Sequence, residues 1–152
     1  MTPQDIYHDF LMIRNMRAST KERCRMLAEL LVSYEDNFLV VGVTEEALKV
    51  FAENDFRRVS RMGINRSHFV ERKQTHTEML EGPLLDFEAW WKLYRDTDKT
   101  VLATATENMS NKFSRIIDIN TDLGLFRSAG FGWSHKKDEA ALLREMYETH
   151  VM

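Results

Sequence analysis

The sequence contains one cysteine, two prolines and six glycines among 152 residues, and its apolar runs are short. A single cysteine, Cys24, excludes an internal disulfide, and five scattered histidines offer no zinc-ligand spacing. The only sizeable apolar run, residues 38–43, is far shorter than the roughly 20 residues of a membrane-spanning helix. Acidic residues near the N-terminus argue against a signal peptide. We therefore expect a cytoplasmic protein that does not enter a membrane.

The composition is that of a globular protein, with 43% apolar and 30% charged residues. Neither an internal repeat nor a linker rich in proline and glycine interrupts the chain. Motifs for common nucleotide-dependent enzymes, such as G-x-x-x-x-G-K-[ST] and G-x-G-x-x-G, are lacking as well. We expect one domain over residues 1–152 and assign no cofactor.

Helix starts are marked by capping residues that precede apolar positions spaced three or four apart. The capping residues are Thr2, Ser19, Thr44 and Asp86. The second of these helices is expected to end near residues 36–37. The stripe Phe87, Trp90, Trp91 and Tyr94 is typical of a helix facing the core.

The remaining segments favour β-structure and one closing helix. Residues 99–107 alternate as a strand does, residues 124–134 suit a twisted hairpin, and residues 137–149 predict a final helix. Residues 38–43 fit either a strand or a buried connector. The pattern predicts a helix-rich α+β fold, with N-terminal helices, a small β-sheet or hairpin, and a C-terminal helix.

Positive charge is concentrated in residues 57–76, which hold six arginines and lysines against one glutamate, although the net charge of the chain is −3. Such a concentration favours a phosphate-bearing or acidic partner. Within it, Gly63 could supply a turn, with Val59 and Met62 inside a first helix. Ile64 and Phe69 could then hold a second helix, which would begin at Asn65.

The letters MGINRS, residues 62–67, resemble the turn and recognition-helix start of bacterial and phage helix-turn-helix regulators. The resemblance extends over residues 54–73 and implies binding to DNA. The second helix would present its polar side chains to base edges and phosphates, while the preceding arginines contact phosphates. The predicted nucleic-acid-binding residues are Arg57, Arg58, Arg61, Asn65, Arg66, Ser67, His68, Arg72 and Lys73.

A second resemblance concerns residues 102–108, LATATEN, which are similar to the closing segment of HNH homing endonucleases. It implies a metal-dependent nuclease, although a strand running into a helix explains the same letters. His68, His76 and Glu78 could form an acid–base group if their segments fold together. We assign no catalytic or metal-binding residue on this basis.

Three functions follow, from different classes. The first is a small nucleic-acid-binding or regulatory protein, bacterial or phage, whose partner is DNA or another nucleic acid. An alternative is a protein-interaction module that modulates a larger machine, suggested by nine methionines and the aromatic-rich segments. The third is a small metal-dependent nuclease or hydrolase.

Overall fold

The computed structural model describes residues 1–34, 36–57, 59, 61–127 and 136–152. The helices of these residues are α1 (Pro3–Arg14), α2 (Thr20–Val32), α3 (Glu45–Glu53), α4 (Arg72–Glu81), α5 (Phe87–Thr97), α6 (Ala105–Ser110) and α7 (Lys137–His150). The strands are β1 (Val40–Thr44), β2 (Ile64–His68), β3 (Thr100–Thr104) and β4 (Ile116–Asp118), and a 3-10 turn spans Thr121–Leu123. None of the helices described is long and apolar enough to cross a membrane.

The predicted helix starts are confirmed by their hydrogen bonds. Thr2 and Ser19 each form a reciprocal capping box with the residue three positions later, which satisfies two otherwise unpaired backbone amides. The side chains of Thr44 and Asp86 accept from the third amide of α3 and α5. The second helix ends at Val32, earlier than predicted, because Ser33 closes it with a turn.

The sheet has four strands in the order β2-β3-β1-β4. β1 and β3 are parallel neighbours, whereas β2 and β4 run antiparallel to them at the two edges. β4 approaches β1 so closely that a Cβ on Gly42 would lie 2.8 Å from Ile116 Cγ2. Residues 38–43, for which the sequence allowed either a strand or a buried connector, contain most of β1. Residues 99–107, predicted as a strand, contain β3 followed by the start of α6.

Two apolar clusters form the core. One contains residues of β1 and β3 together with α3 and α7, and includes Phe51, Leu102 and Leu143. The other is helical, from α1, α2, α4 and α5, and contains Phe10 and Trp90. The predicted helix-rich α+β fold is confirmed, and so is the core position of the aromatic stripe on α5, where Trp90 and Tyr94 are buried.

The chain passes between the sheet and the helical cluster three times, from α2 to β1, from β2 to α4, and from α5 to β3. The first and third passages are joined by hydrogen bonds: Asp98 Oδ2 accepts from the Phe38 amide at 2.6 Å, and Thr100 N donates to Leu39 O at 2.7 Å. His68, at the second passage, contacts the same Asp98. The three passages therefore converge, and they build the cleft described below.

The helix-turn-helix prediction for residues 54–73 is wrong. Gly63 does adopt a positive φ of 74°, but the segment that follows it, predicted as a helix from Asn65, is strand β2. Asn, Ser and His are weak helix formers, and β3 offers every residue of β2 an opposite partner, from Ile64 with Thr104 to His68 with Thr100. Phe69, expected to hold the second helix in place, is 40% exposed.

Two further segments differ from expectation. Val59, predicted to lie on the inner face of a first helix, is exposed and follows a turn in which Asp55 and Phe56 have positive φ. The predicted hairpin at residues 124–134 lies mainly outside the described residues, and its described part, residues 124–127, is not strand. The final helix is confirmed as α7.

Candidate anion-binding cleft

A cleft of about 720 Å³ opens where β2, the start of α4 and the end of α6 meet. Its position follows from the topology, because β2 is an edge strand and leads directly into α4. The lining residues come from four short segments and most are polar: Phe38; Asn65, Arg66 and His68; Glu71, Arg72 and Lys73; Asn108, Met109 and Asn111.

The ring of Phe38 organises the basic side chains of this cleft. The guanidinium carbons of Arg66 and Arg72 lie 4.6 and 4.8 Å from the ring centroid, and the His68 ring lies at 4.9 Å. Such contacts attract a cation through the negative face of the ring. Phe38 also has a φ of 52°, a left-handed conformation that costs a non-glycine residue about 1–2 kcal/mol. Hydrogen bonds from its amide to Asp98 and from Thr100 Oγ1 to its carbonyl hold it there.

His68 is oriented by a carboxylate. Its Nε2 lies 2.8 Å from Asp98 Oδ1, while Asp98 Oδ2 accepts the Phe38 amide. Both side chains are largely buried, with 9% and 8% of their surface exposed. A carboxylate in this position favours the tautomer protonated at Nε2, in which Nδ1 is a hydrogen-bond acceptor.

Burial affects both arginines without removing their charge. Burial lowers the pKa of Arg66 to about 10, against an opposing effect of the Asp98 carboxylate. Burial likewise lowers the pKa of Arg72, opposed by Asp98 and Tyr94. Both guanidinium groups are protonated at neutral pH, and partial burial strengthens their attraction for an anion.

The N-terminus of α4 adds to the positive potential of the cleft. Arg72 is its first residue, and its first turn contains no acidic side chain. The helix dipole favours an anion at such an end. Glu71, the capping residue, makes no side-chain hydrogen bond to this turn. Lys73 is exposed in the same turn.

His76 lies behind the cleft, buried on α4. Its pKa is lowered to about 4, mainly by burial and further by the charges of Arg72 and His68, although Asp98 raises it. The imidazole is therefore neutral at neutral pH. It supports the cleft from the helical side without adding a charge.

The structure brings together five of the predicted binding residues and separates Ser67, Arg57 and Arg61 from them. The five in the cleft are Asn65, Arg66, His68, Arg72 and Lys73. Ser67 is buried, with Val101 as its partner on β3. Arg57 and Arg61 are exposed and precede Ile64, the first residue of β2. Ile64 itself lies about 13 Å along the strand from His68. Arg58 lies outside the described residues.

Sequence reasoning missed Phe38 and Asp98. Neither stands in a motif, and both lie in passages between elements: Phe38 is 19 residues before the basic segment 57–76, and Asp98 is 22 residues after it. Asp98 carried one signal: it directly follows the strongly amphipathic aromatic helix and precedes a strand. Acidic residues at such junctions often cap or bridge elements.

The nuclease-like segment has a structural explanation. Glu107 accepts hydrogen bonds at one oxygen from Thr44 Oγ1 and the Thr104 amide, at 2.7 and 3.1 Å, and at the other from the amide and hydroxyl of Ser114. Burial raises the pKa of Glu107, but these donors outweigh burial and the net shift is downward. Both oxygens are thus used to join β1, β3 and the segment before β4.

The suggested acid–base group does not assemble as a trio. His68 and His76 lie near Asp98, whereas Glu78 is exposed on α4. Residues two apart on a helix point in different directions, which separates Glu78 from His76. Among the residues that the structure describes, no group of three or more histidines, cysteines and acidic residues is placed to hold a metal ion.

Chemically, the cleft combines cations, amides and an imidazole oriented by a carboxylate. Cations and amides bind oxyanions, and an oriented imidazole transfers protons. Comparison with models of protein families, with curated proteins and with solved structures gives no match for this chain. By its lining residues, the cleft is a candidate anion-binding site.

Proposed function

We propose that the protein binds nucleic acid and that the cleft between β2, α4 and α6 receives its phosphate backbone. One observation carries the proposal: Arg66, Arg72 and Lys73, which come from a strand and a helix, converge on one open cleft. Guanidinium groups bind phosphate oxygens in a bidentate manner, and a neighbouring ammonium adds charge without directional demands.

The size and the other side chains of the cleft favour a polymer over a single phosphate ion. A volume of about 720 Å³ accommodates more than one phosphate, and the cleft is open to solvent. Asn65, Asn108 and Asn111 line it together with the cations. Carboxamides donate to and accept from sugars and base edges, so they extend recognition beyond the phosphates.

The test is equilibrium binding of fluorescent RNA and DNA oligonucleotides at low and moderate salt. Lys73→Ala is the informative variant, because Lys73 is exposed and its loss leaves the packing around Phe38 intact. We expect weaker binding and a salt dependence reduced by about one counterion, since one phosphate contact is removed.

Arg57→Ala is the matched control. It removes one exposed cation from the same basic segment, but at a position outside the cleft. Its affinity and salt dependence should equal those of the unaltered protein. Equal losses of affinity in the two variants would indicate binding to diffuse surface charge and contradict binding in the cleft. Absence of binding at low salt would contradict the proposal as well.

A further inference from the structure

We propose that the cleft cleaves RNA, with His68 as the general base that activates the 2′-hydroxyl next to a bound phosphate. This inference rests on the proposed function, because the strand must first be held by the cations of the cleft. It goes further in naming the substrate class, the reaction and the residue that carries it.

The first argument is the orientation of His68. Asp98 fixes the ring through a 2.8 Å contact at Nε2, and the same carboxylate is anchored by the Phe38 amide at 2.6 Å. The Phe38 ring packs against the imidazole from the side. A ring held on two sides cannot rotate freely, and a fixed general base is the condition for efficient proton transfer.

The second argument is the placement of charge around the imidazole. Arg66 and Arg72 lie against the same Phe38 ring as His68. The three side chains therefore surround one ring, so a phosphate bound by either guanidinium group would lie close to the imidazole. Such cations stabilise the additional negative charge that develops on the phosphoryl oxygens as a fifth oxygen approaches phosphorus.

The third argument concerns the nucleophile. RNA carries its own nucleophile, the 2′-hydroxyl, so that cleavage requires a base for that hydroxyl and cations for the phosphate, which are the groups the cleft provides. In the reaction, His68 Nδ1 takes the 2′-hydroxyl proton, and O2′ forms a bond to phosphorus. The bond from phosphorus to O5′ breaks, and O5′ takes a proton from solvent. The products are a 2′,3′-cyclic phosphate and a 5′-hydroxyl, and His68 then returns its proton to solvent.

The experiment follows cleavage of a short single-stranded RNA, of the same sequence as DNA, and of a DNA oligonucleotide containing one ribonucleotide. We expect cleavage of the RNA and of the chimaera, immediately 3′ of the ribonucleotide, with a cyclic phosphate detected by mass spectrometry. The all-deoxy strand should remain intact. His68→Gln should lower the cleavage rate at saturating RNA by about 100-fold or more, a larger change than its change in RNA affinity.

Asp98 acts through His68 as a positioning residue, and the variant Asp98→Asn tests this role separately. Asp98→Asn keeps an oxygen for the Phe38 amide but removes the negative charge beside the imidazole. The charged and titratable groups near His68 are Arg66 on the same strand, Arg72 and His76 on α4, and this carboxylate. Loss of the carboxylate should lower kcat with little change in KM, whereas a purely structural change of the cleft would alter both.

The outcomes separate the two proposals. RNA that binds in a Lys73-dependent manner but is not cleaved overturns the cleavage inference and leaves the binding function standing. Cleavage that is undiminished in His68→Gln, or equal cleavage of the all-deoxy strand, also overturns it. Absence of binding contradicts the proposed function itself.

Discussion

At the residue scale, Phe38 combines a strained backbone with a position in the cleft. A phenylalanine at a φ of 52° is unfavourable by about 1–2 kcal/mol, yet two hydrogen bonds hold its backbone. Its ring is the common neighbour of Arg66, Arg72 and His68. The strained backbone thus places one aromatic ring where three basic side chains can gather, and strain retained in this way is frequent at functional sites.

His76 predicts how stability depends on pH. Its folded pKa is about 4, below the ordinary value of 6.5, so the unfolded chain binds a proton that the folded chain does not. The contribution of neutral His76 to the free energy of unfolding is complete above pH 6.5 and is lost as the pH falls toward 4. This contribution is on the order of 3 kcal/mol. Urea unfolding at several pH values measures this loss.

The variant His76→Gln should flatten the dependence of the unfolding free energy on pH between 6.5 and 4. His8→Gln is the control, because His8 is exposed on α1. It should keep the slope of the unaltered protein. An unchanged slope in His76→Gln would show that other groups cause the acid sensitivity.

At the scale of elements, the capped helices and the aromatic stripe could be predicted because their signals are local. Thr2, Ser19 and Asp86 lie within three residues of the amides they satisfy. The interval of four residues between Trp90 and Tyr94 likewise indicates the buried face of α5 without knowledge of its neighbours.

β2 could not be predicted in the same way, because its conformation depends on a distant partner. Gly63 provides the expected turn, but the hydrogen bonds that make residues 64–68 a strand come from β3, over 30 residues later. Five of the predicted binding residues thus line one cleft, whereas the helical geometry predicted for them was wrong. Asp98, brought to His68 across a separation of 30 residues, illustrates the same limit for the site.

Glu107 joins the ends of two parallel strands, so we expect its removal to lower the free energy of unfolding substantially. Thr44 ends β1, Thr104 ends β3, and each caps the helix that follows while lying within hydrogen-bond distance of the same carboxylate. Glu107→Ala would leave buried donors without an acceptor, at a cost of about 2–3 kcal/mol. Thermal or urea unfolding measures the loss.

Glu46→Ala is the matched control for this prediction, because Glu46 is an exposed acid in the first turn of α3. Its effect should stay within about 0.5 kcal/mol, as is usual for a surface residue. Wild-type stability in Glu107→Ala would contradict the structural role assigned to this carboxylate. It would reopen the nuclease-like interpretation of residues 102–108.

At the scale of the molecule, the cleft lies where the sheet and the helical cluster are joined. All three passages of the chain between them contribute: Phe38 from the first, His68 and Arg72 from either side of the second, and Asp98 from the third. Binding in the cleft should therefore stabilise the junction as a whole, since a ligand that binds only the folded state raises its stability. The protein-interaction alternative depends partly on residues 124–134, most of which lie outside the described residues, and stays a prediction.

The central claim is that nucleic acid binds in the cleft and not along the whole basic segment. The most direct measurement is an NMR titration of the ¹⁵N-labelled protein with a short single-stranded RNA. We expect the largest amide shifts at Lys73 and Gln74, in the first turn of α4, and at Asn111, with little change at Arg57 and Arg61. Shifts concentrated at Arg57 and Arg61, or none anywhere, would contradict the account.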